Sequence, residues 1–240
     1  MKILPLKDIF KSCKVIVVAS SKGGVGKSTT AVNLAVDMAR QDPALKVALV
    51  DTEDDGTTLD YQDERQDLPN LQVINGYDKT FPSMIAHYRN IFDVIVIDTA
   101  GVNADMNKDQ SENLQSKIVQ KVLCSSDFIL IPVVPSPVDI RKSMRFFSSI
   151  ENYIDASMGK RKAMMFINKA TTTKRHTLEA RNMLVGAYDN IPLAQTMVRL
   201  YTAIEEAEGE FKSVNEFAPS SNAALDMRNL QKEIFKQLAE

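Results

Sequence analysis

The run VIVVASSKGGVGKSTTAVNLAVDMAR, residues 15–40, admits few folds. Its β-branched opening shows no polar alternation and reads as a strand buried on both faces. The chain then passes through Gly23, Gly24 and Gly26 into a segment where Val32, Leu34, Ala35, Met38 and Ala39 share one broad helical side. Strand, glycine-rich loop and helix in that order begin a parallel crossover unit, since only a crossover lays the next strand parallel to the first.

Further apolar runs follow: KVALVD from Lys46, LQVI from Leu71, FDVIVID from Phe92, FILIPVV from Phe128 and AMMFIN from Ala163. Helical periodicity fills residues 29–40, 111–123 and 141–154, the last carrying Met144, Phe147, Ile150 and Ile154. The alternation predicts an α/β fold, a mostly parallel twisted sheet with helices on both faces. No repeat, low-complexity linker or Gly/Ser-rich break divides the 240 residues, so one domain is expected over residues 15–240. Residues 1–14 form an N-terminal extension. Its Ile3, Leu4, Leu6, Ile9 and Phe10 are too apolar for a free tail and predict cover for a sheet edge or a helix, with partner docking as the other use.

Composition narrows the class. Hydrophobic residues at 44% and charged residues at 25% are those of a soluble domain. No apolar run approaches the roughly 20 residues of a membrane span. The opening MKILPLKDIFKSCKV lacks the continuous apolar region of a signal peptide. A cytoplasmic protein is expected. Cys13 and Cys124 have no neighbouring His or Cys to complete a metal set and are expected to be buried free thiols. Charge is uneven despite a net −2: residues 51–67 hold eight acids against Arg65 alone, and residues 141–181 hold ten Lys or Arg against three acids. The basic stretch fits either a nucleic-acid face or a solvated helix surface.

The loop carries chemistry. Backbone N–H groups of Gly23, Gly24, Val25 and Gly26 can turn inward around phosphates, Lys27 reaches the β- and γ-phosphates, and the Ser28 hydroxyl is offered to Mg²⁺ beside Thr29 at the helix start. One position departs from G-x-x-x-x-G-K-[ST]: Ser21 stands where the first glycine belongs. The expectation is a single-domain P-loop NTPase. FDVIVIDTAG delivers Asp98 to the carboxyl end of a strand, where a carboxylate holds Mg²⁺, and Gly101 brings its N–H toward a γ-phosphate. KVALVDTED brings Asp51 and Glu53 to the same edge, Asp51 near the metal and Glu53 placed to orient an attacking water or take its proton. Asn168 at the end of its strand either contacts the base or caps the next helix.

KGGVGKST, with a lysine opening the loop, resembles the deviant Walker A motif of the ParA/MinD superfamily. The likeness continues through VALVDTED, DVIVIDTAG, SSDFILIPVVPSPVDI and SVNEFAPSSNAALDMRNLQKEI, and so covers most of the chain from Val15 onward. It is strongest toward small ParA-type partition ATPases without an N-terminal helix-turn-helix domain, for which about fourteen residues before the first strand are too few. The resemblance implies ATP and Mg²⁺ as ligands and a homodimer when ATP is bound, with Lys22 reaching the other subunit's phosphates. It also implies non-specific DNA binding by the dimer, for which Lys169, Lys174, Arg175, Arg181 and Arg199 fall at suitable positions. A centromere-binding or cargo adaptor protein would then stimulate hydrolysis and release, giving a nucleoid-associated location. One departure bears on rate: the family's D-x-D-P-Q is replaced by Asp51, Glu53, Asp54 and Asp55, and a methylene more at Glu53 moves the carboxylate by about 1.5 Å. Slow, partner-dependent hydrolysis is expected.

Three other functions share the loop. A MinD-like membrane-positioning ATPase calls for a terminal basic amphipathic helix. The stripe Met227, Leu230, Ile234 and Leu238 lies in the last helix, among Asp226, Glu233 and Glu240, and predicts core packing instead. A metal carrier or reductase calls for paired cysteines, which the sequence lacks. A ParA-like ATPase positioning a cargo other than DNA is the remaining alternative.

Overall fold

The computed structural model describes residues 6–54, 56, 58–102, 113–171 and 175–239. Its strands are β1 (Lys14–Val18), β2 (Val47–Asp51), β3 (Leu71–Asn75), β4 (Val94–Asp98), β5 (Phe128–Val133), β6 (Lys162–Ala170) and β7 (Leu193–Arg199). The helices are α1 (Leu6–Ile9), α2 (Lys27–Gln41), α3 (Tyr61–Glu64), α4 (Phe81–Tyr88), α5 (Leu114–Ser125), α6 (Pro137–Ala156), α7 (Arg175–Leu184), α8 (Thr202–Gly209), α9 (Val214–Phe217) and α10 (Asn222–Ala239). The strands form one parallel sheet in the order β3-β2-β4-β1-β5-β6-β7.

The two faces bury separate clusters, as the near-continuous apolar strands require. Ile16, Val18, Leu49, Val96 and Leu130 face α2 and α10, whose Leu34, Leu230 and Ile234 complete that layer. Val17, Val50, Ile95, Ile97 and Ile129 face the other layer, with Ile118 of α5 and Phe146 and Ile150 of α6. The α10 stripe belongs to the first cluster, with Met227 buried in it and Leu238 packed against it. Leu6, Ile9 and Phe10 are buried there too, and the Phe10 ring meets Phe235 edge-on at 5.8 Å. Ile3 and Leu4 lie outside the described residues. β7 had no counterpart among the apolar runs, because LAQTMVR is an alternating edge strand covered on one face by α10. Cys13 is half-buried and burial pushes its thiol up to about 11. Cys124, expected to be buried, is exposed, because it lies on the outer side of the last turn of α5.

Arg161, just before β6, is buried and, among the described residues, forms no ion pair with a carboxylate. It donates to the backbone carbonyls of Cys124, Ser126 and Tyr153, and so neutralises the carbonyl ends of α5 and α6 together. At the other end of the sheet the chain leaves β1 for β2 on one side and later crosses to β5 on the opposite side. Ligands of open α/β sheets bind at the carboxyl ends of the strands, above such a reversal.

Candidate nucleotide-binding site

Parallel register places Val18 beside Asp98 and Asp98 beside Asp51. The glycine loop and both carboxylates therefore leave the sheet at one level. Thr99 Oγ1 donates to the Val18 carbonyl at 2.9 Å and Thr52 Oγ1 to the Asp98 carbonyl at 2.8 Å, which fastens the three strand ends together.

In the loop, Gly24 and Gly26 take left-handed φ angles of 72° and 91°. A Cβ on Gly26 would stand 2.3 Å from Asn168 Nδ2. That amide donates to the Val25 carbonyl at 2.8 Å, so Asn168 is a loop-holding residue in this structure. Gly101 seals the loop from the β4 side: a Cβ there would lie 2.6 Å from the Lys22 carbonyl carbon and 2.7 Å from the Gly23 nitrogen. Ser21, the residue in place of the first glycine, donates to Ser143 Oγ of α6 at 3.1 Å. α2 starts directly at Lys27 with no acid in its first turn, leaving its N–H groups and positive end for an anion.

The two loop lysines are placed differently. Lys27 is 5% exposed, with Nζ 3.3 Å from the Lys22 carbonyl and 3.9 Å from Glu53 Oε1. Lys22 sits at the rim, 36% exposed, and is ion-paired with Asp139 in the first turn of α6. That pairing holds the Asp139 carboxyl below its ordinary range. Sequence reasoning missed Asp139, whose visible signal, S-P-V-D after a strand, reads as a helix cap, and Ser136 Oγ does accept from Asp139 N.

The carboxylates also divide. Asp51 is fully engaged: Oδ1 accepts from Glu53 N at 2.9 Å, and Oδ2 accepts from Thr58 N at 3.0 Å and Thr58 Oγ1 at 2.6 Å. It shapes the turn that carries Glu53. Asp98 is 1% exposed and, among the described residues, no donor meets either carboxylate oxygen in hydrogen-bond geometry, the Ser28 hydroxyl being its polar neighbour. Burial pushes its pKa up to about 8, with the neighbouring Ser28 hydroxyl acting in the opposite direction. Glu53 is half-buried and raised above its ordinary value by burial, with Lys27 opposing and Asp51 adding to the rise. Two orphaned, buried oxygens beside a serine hydroxyl form an oxygen-donor set that suits a hard divalent cation.

Beside the loop a cavity of about 120 Å³ opens between the first turn of α2, the ends of β6 and β7, and α8. Val198, Leu200, Tyr201, Ile204, Glu205 and Glu208 are among its walls. Thr29 Oγ1 lies 3.4 Å from Glu208 Oε2, and burial raises the Glu208 carboxyl. No sequence signal marked this cavity, because its walls come from separate segments.

Among the described residues, those expected to face DNA do not form one free cationic group. Lys169 Nζ donates to the Gly24 carbonyl at 2.9 Å. Arg199 is paired with Asp226 at 2.8 Å and lies over the Tyr201 ring. Arg175 is fully solvated on α7, paired with Glu179, and Arg181 follows on the same helix. Lys174 lies outside the described residues. On α6, Arg141, Lys142 and Arg145 are exposed.

Residues 16–214 match the family described as the CobQ/CobB/MinD/ParA nucleotide binding domain. The chain is 25% identical over 232 residues to Protein ParA of Rhizobium radiobacter, covering 94% of this chain and 98% of that protein. It is 26% identical over 216 residues to the maintenance of carboxysome distribution protein A of Halothiobacillus neapolitanus, covering 89% and 92% of the two chains. Its fold superimposes with a TM-score of 0.67 on the septum site-determining protein MinD of Pyrococcus horikoshii, solved with Mg-ADP, at 17% identity over 94% of this chain and 97% of that one.

Proposed function

Because the chain belongs to the CobQ/CobB/MinD/ParA nucleotide-binding family and is an ATPase of the ParA/MinD type that takes ATP with Mg²⁺, we propose that it is a DNA-partition ATPase switched by nucleotide-dependent dimerisation. The observation that carries this reading is the contrast between Lys27, buried in its own phosphate loop, and Lys22, held at the rim by Asp139 of α6. A cation at the rim is placed to serve a phosphate brought by a second copy.

In this reading Lys27 and the loop N–H groups bind the phosphates, and Ser28 and Asp98 hold the cation. When bound, Mg²⁺ neutralises phosphate charge and polarises the phosphoryl group. Asp51, its oxygens already engaged, positions the Glu53 turn, and Glu53 orients the attacking water. Lys22 releases Asp139 and adds positive charge to the partner's transferring phosphoryl group, where charge develops. DNA contact then falls to cations of α6 and α7, chiefly Arg141, Lys142, Arg145, Arg175 and Arg181, with Lys169 and Arg199 left at the nucleotide site. An adaptor protein that stimulates hydrolysis returns the dimer to monomers.

The likeness to a carboxysome-distribution protein favours a second reading, in which the same switch positions a protein cargo. Among the described residues no helix is long and apolar enough to cross a membrane, and the α10 stripe that a surface anchor would need is packed in the core. The test is DNA binding with ATP, ADP and no nucleotide at two salt concentrations, beside anionic liposomes. ATP-dependent binding to DNA that weakens steeply with salt supports the proposal. ATP-dependent binding to liposomes with none to DNA overturns it.

A further inference from the structure

β6 and β7 lose register at the loop end of the sheet. Ile167 pairs with Met197 and Ala170 with Arg199, so three steps on β6 match two on β7. The extra residue falls at Asn168 and Lys169, and Lys169 adopts φ 53°, a left-handed conformation that a side chain takes only when its surroundings impose it. A bulge of this kind re-aims side chains at the end of a strand. Here it turns two consecutive residues onto two consecutive carbonyls of the phosphate loop: Asn168 Nδ2 onto Val25 at 2.8 Å and Lys169 Nζ onto Gly24 at 2.9 Å.

A peptide plane is rigid, so drawing a carbonyl to one side sends the next residue's N–H to the other. Holding the Gly24 and Val25 carbonyls outward aims the Val25 and Gly26 N–H groups at the anion site. Lys169 also lines the cavity beside the loop, and its charge lowers the carboxyl of Glu208, which meets Thr29 at the start of α2. We propose that the Asn168–Lys169 bulge is a clamp that presets the phosphate loop, and that Lys169 is a positioning residue for nucleotide, with no part in DNA contact. The proposal rests on the nucleotide reading above and adds to it the residue that organises the cradle.

The test compares the wild-type chain with Lys169→Ala, Lys169→Gly and Lys169→Arg. The measurements are Kd for ADP, ATP and inorganic tripolyphosphate with Mg²⁺, thermal stability without nucleotide, and DNA affinity with saturating ATP. A charge-assisted hydrogen bond that orders the loop predicts that Lys169→Ala weakens all three ligands by about tenfold or more, with Lys169→Arg recovering part of the loss. Lys169→Gly must weaken them as much as alanine, since glycine relieves the backbone without restoring the amine. DNA affinity at saturation should stay within about twofold of wild type. The clamp is overturned if glycine restores wild-type nucleotide affinity, if alanine lowers thermal stability with ligand affinities unchanged, or if alanine reduces only DNA binding. A wild-type chain that binds neither nucleotide nor tripolyphosphate would remove the nucleotide reading itself, an outcome distinct from any of these.

Discussion

Lys22 and Asp139 form an ion pair that joins the rim of the phosphate loop to the first turn of α6, with each side chain about a third exposed. An exposed pair contributes roughly 0.2–1 kcal/mol and weakens with salt. It is therefore a contact that a second subunit's phosphates can displace. Asp139→Ala should leave the melting temperature nearly unchanged, because so little stability resides in the pair. It should lower the protein concentration needed for ATP-dependent dimerisation by up to about thirtyfold, since each dimer releases two such pairs, one per subunit. Lys22→Ala should abolish the dimer with nucleotide still bound. Sedimentation with ATP and with ADP reads both, and an unaltered ATP dimer in the Lys22 variant would end the role assigned to it.

Asp98 gives a pH signature with a definite sign. Its carboxyl is raised from 3.8 to about 8 in the folded chain, so between those values the folded state holds more protons than the unfolded one. Stability of the nucleotide-free protein must then fall as pH rises through that window. Asp98→Asn removes the ionisable group and should flatten the slope. At pH 8 it should raise the melting temperature by at least about 2–4 °C, the change expected for relief of some 1 kcal/mol in a chain of this size. The same variant should lose Mg²⁺-dependent tightening of nucleotide. Thermal melts across pH without nucleotide, followed by a Mg²⁺ titration, test both; a parallel slope in the variant would show that another group sets it.

The phosphate loop was legible because its chemistry is local: one strand, three glycines, a lysine and a serine lie within residues 15–28 and need no partner to be recognised. The position of Asp98 beside the loop was legible for the same reason, a single acid at the end of an apolar strand. Asp51 was found at its position, where it was expected near the metal, but only folding shows that Thr58 and the Glu53 amide occupy its oxygens. Lys169 and Arg199 were expected in a DNA-facing patch, because a sequence shows the charge and hides the acceptor. A bulge turns one onto the loop, and Asp226 from α10 takes the other. The cavity beside the loop was invisible, because Thr29, Lys169, Tyr201 and Glu208 become neighbours only when the sheet closes over α2.

Arg161 separates folding from the site. Its guanidinium donates to three backbone carbonyls at the ends of two helices, and each is left without that donor when the side chain is cut back. Arg161→Ala should destabilise the protein by roughly 2–4 kcal/mol. Arg161→Lys should recover little of it, because a single ammonium cannot span the fork that a guanidinium covers. Affinity for ADP should stay within about twofold of wild type, since Arg161 lies at the opposite end of the sheet. Denaturant unfolding gives the first quantity and calorimetric titration the second; a loss of ADP affinity in a still-folded variant would mean that these helix ends are coupled to the loop.

Glu53 stands where the resemblance expects an aspartate, on a turn whose shape is fixed by Asp51 and whose carboxylate lies 3.9 Å from Lys27. Because the backbone of that turn is held, shortening the side chain retracts the carboxylate rather than letting the turn follow it. If water is positioned by this group, Glu53→Asp should raise turnover, by up to about a hundredfold where a displacement near 1 Å limits the reaction. Glu53→Gln should nearly abolish turnover while leaving the ATP dissociation constant within a few-fold. In the wild type the working form is the carboxylate, and burial raises its pKa, so turnover should decline as pH falls through a value above the ordinary 4.5. Single-turnover hydrolysis against pH for the three chains checks each part. If the glutamine variant hydrolyses ATP as fast as wild type, water activation belongs to another residue and the turn built on Asp51 serves only to close the site.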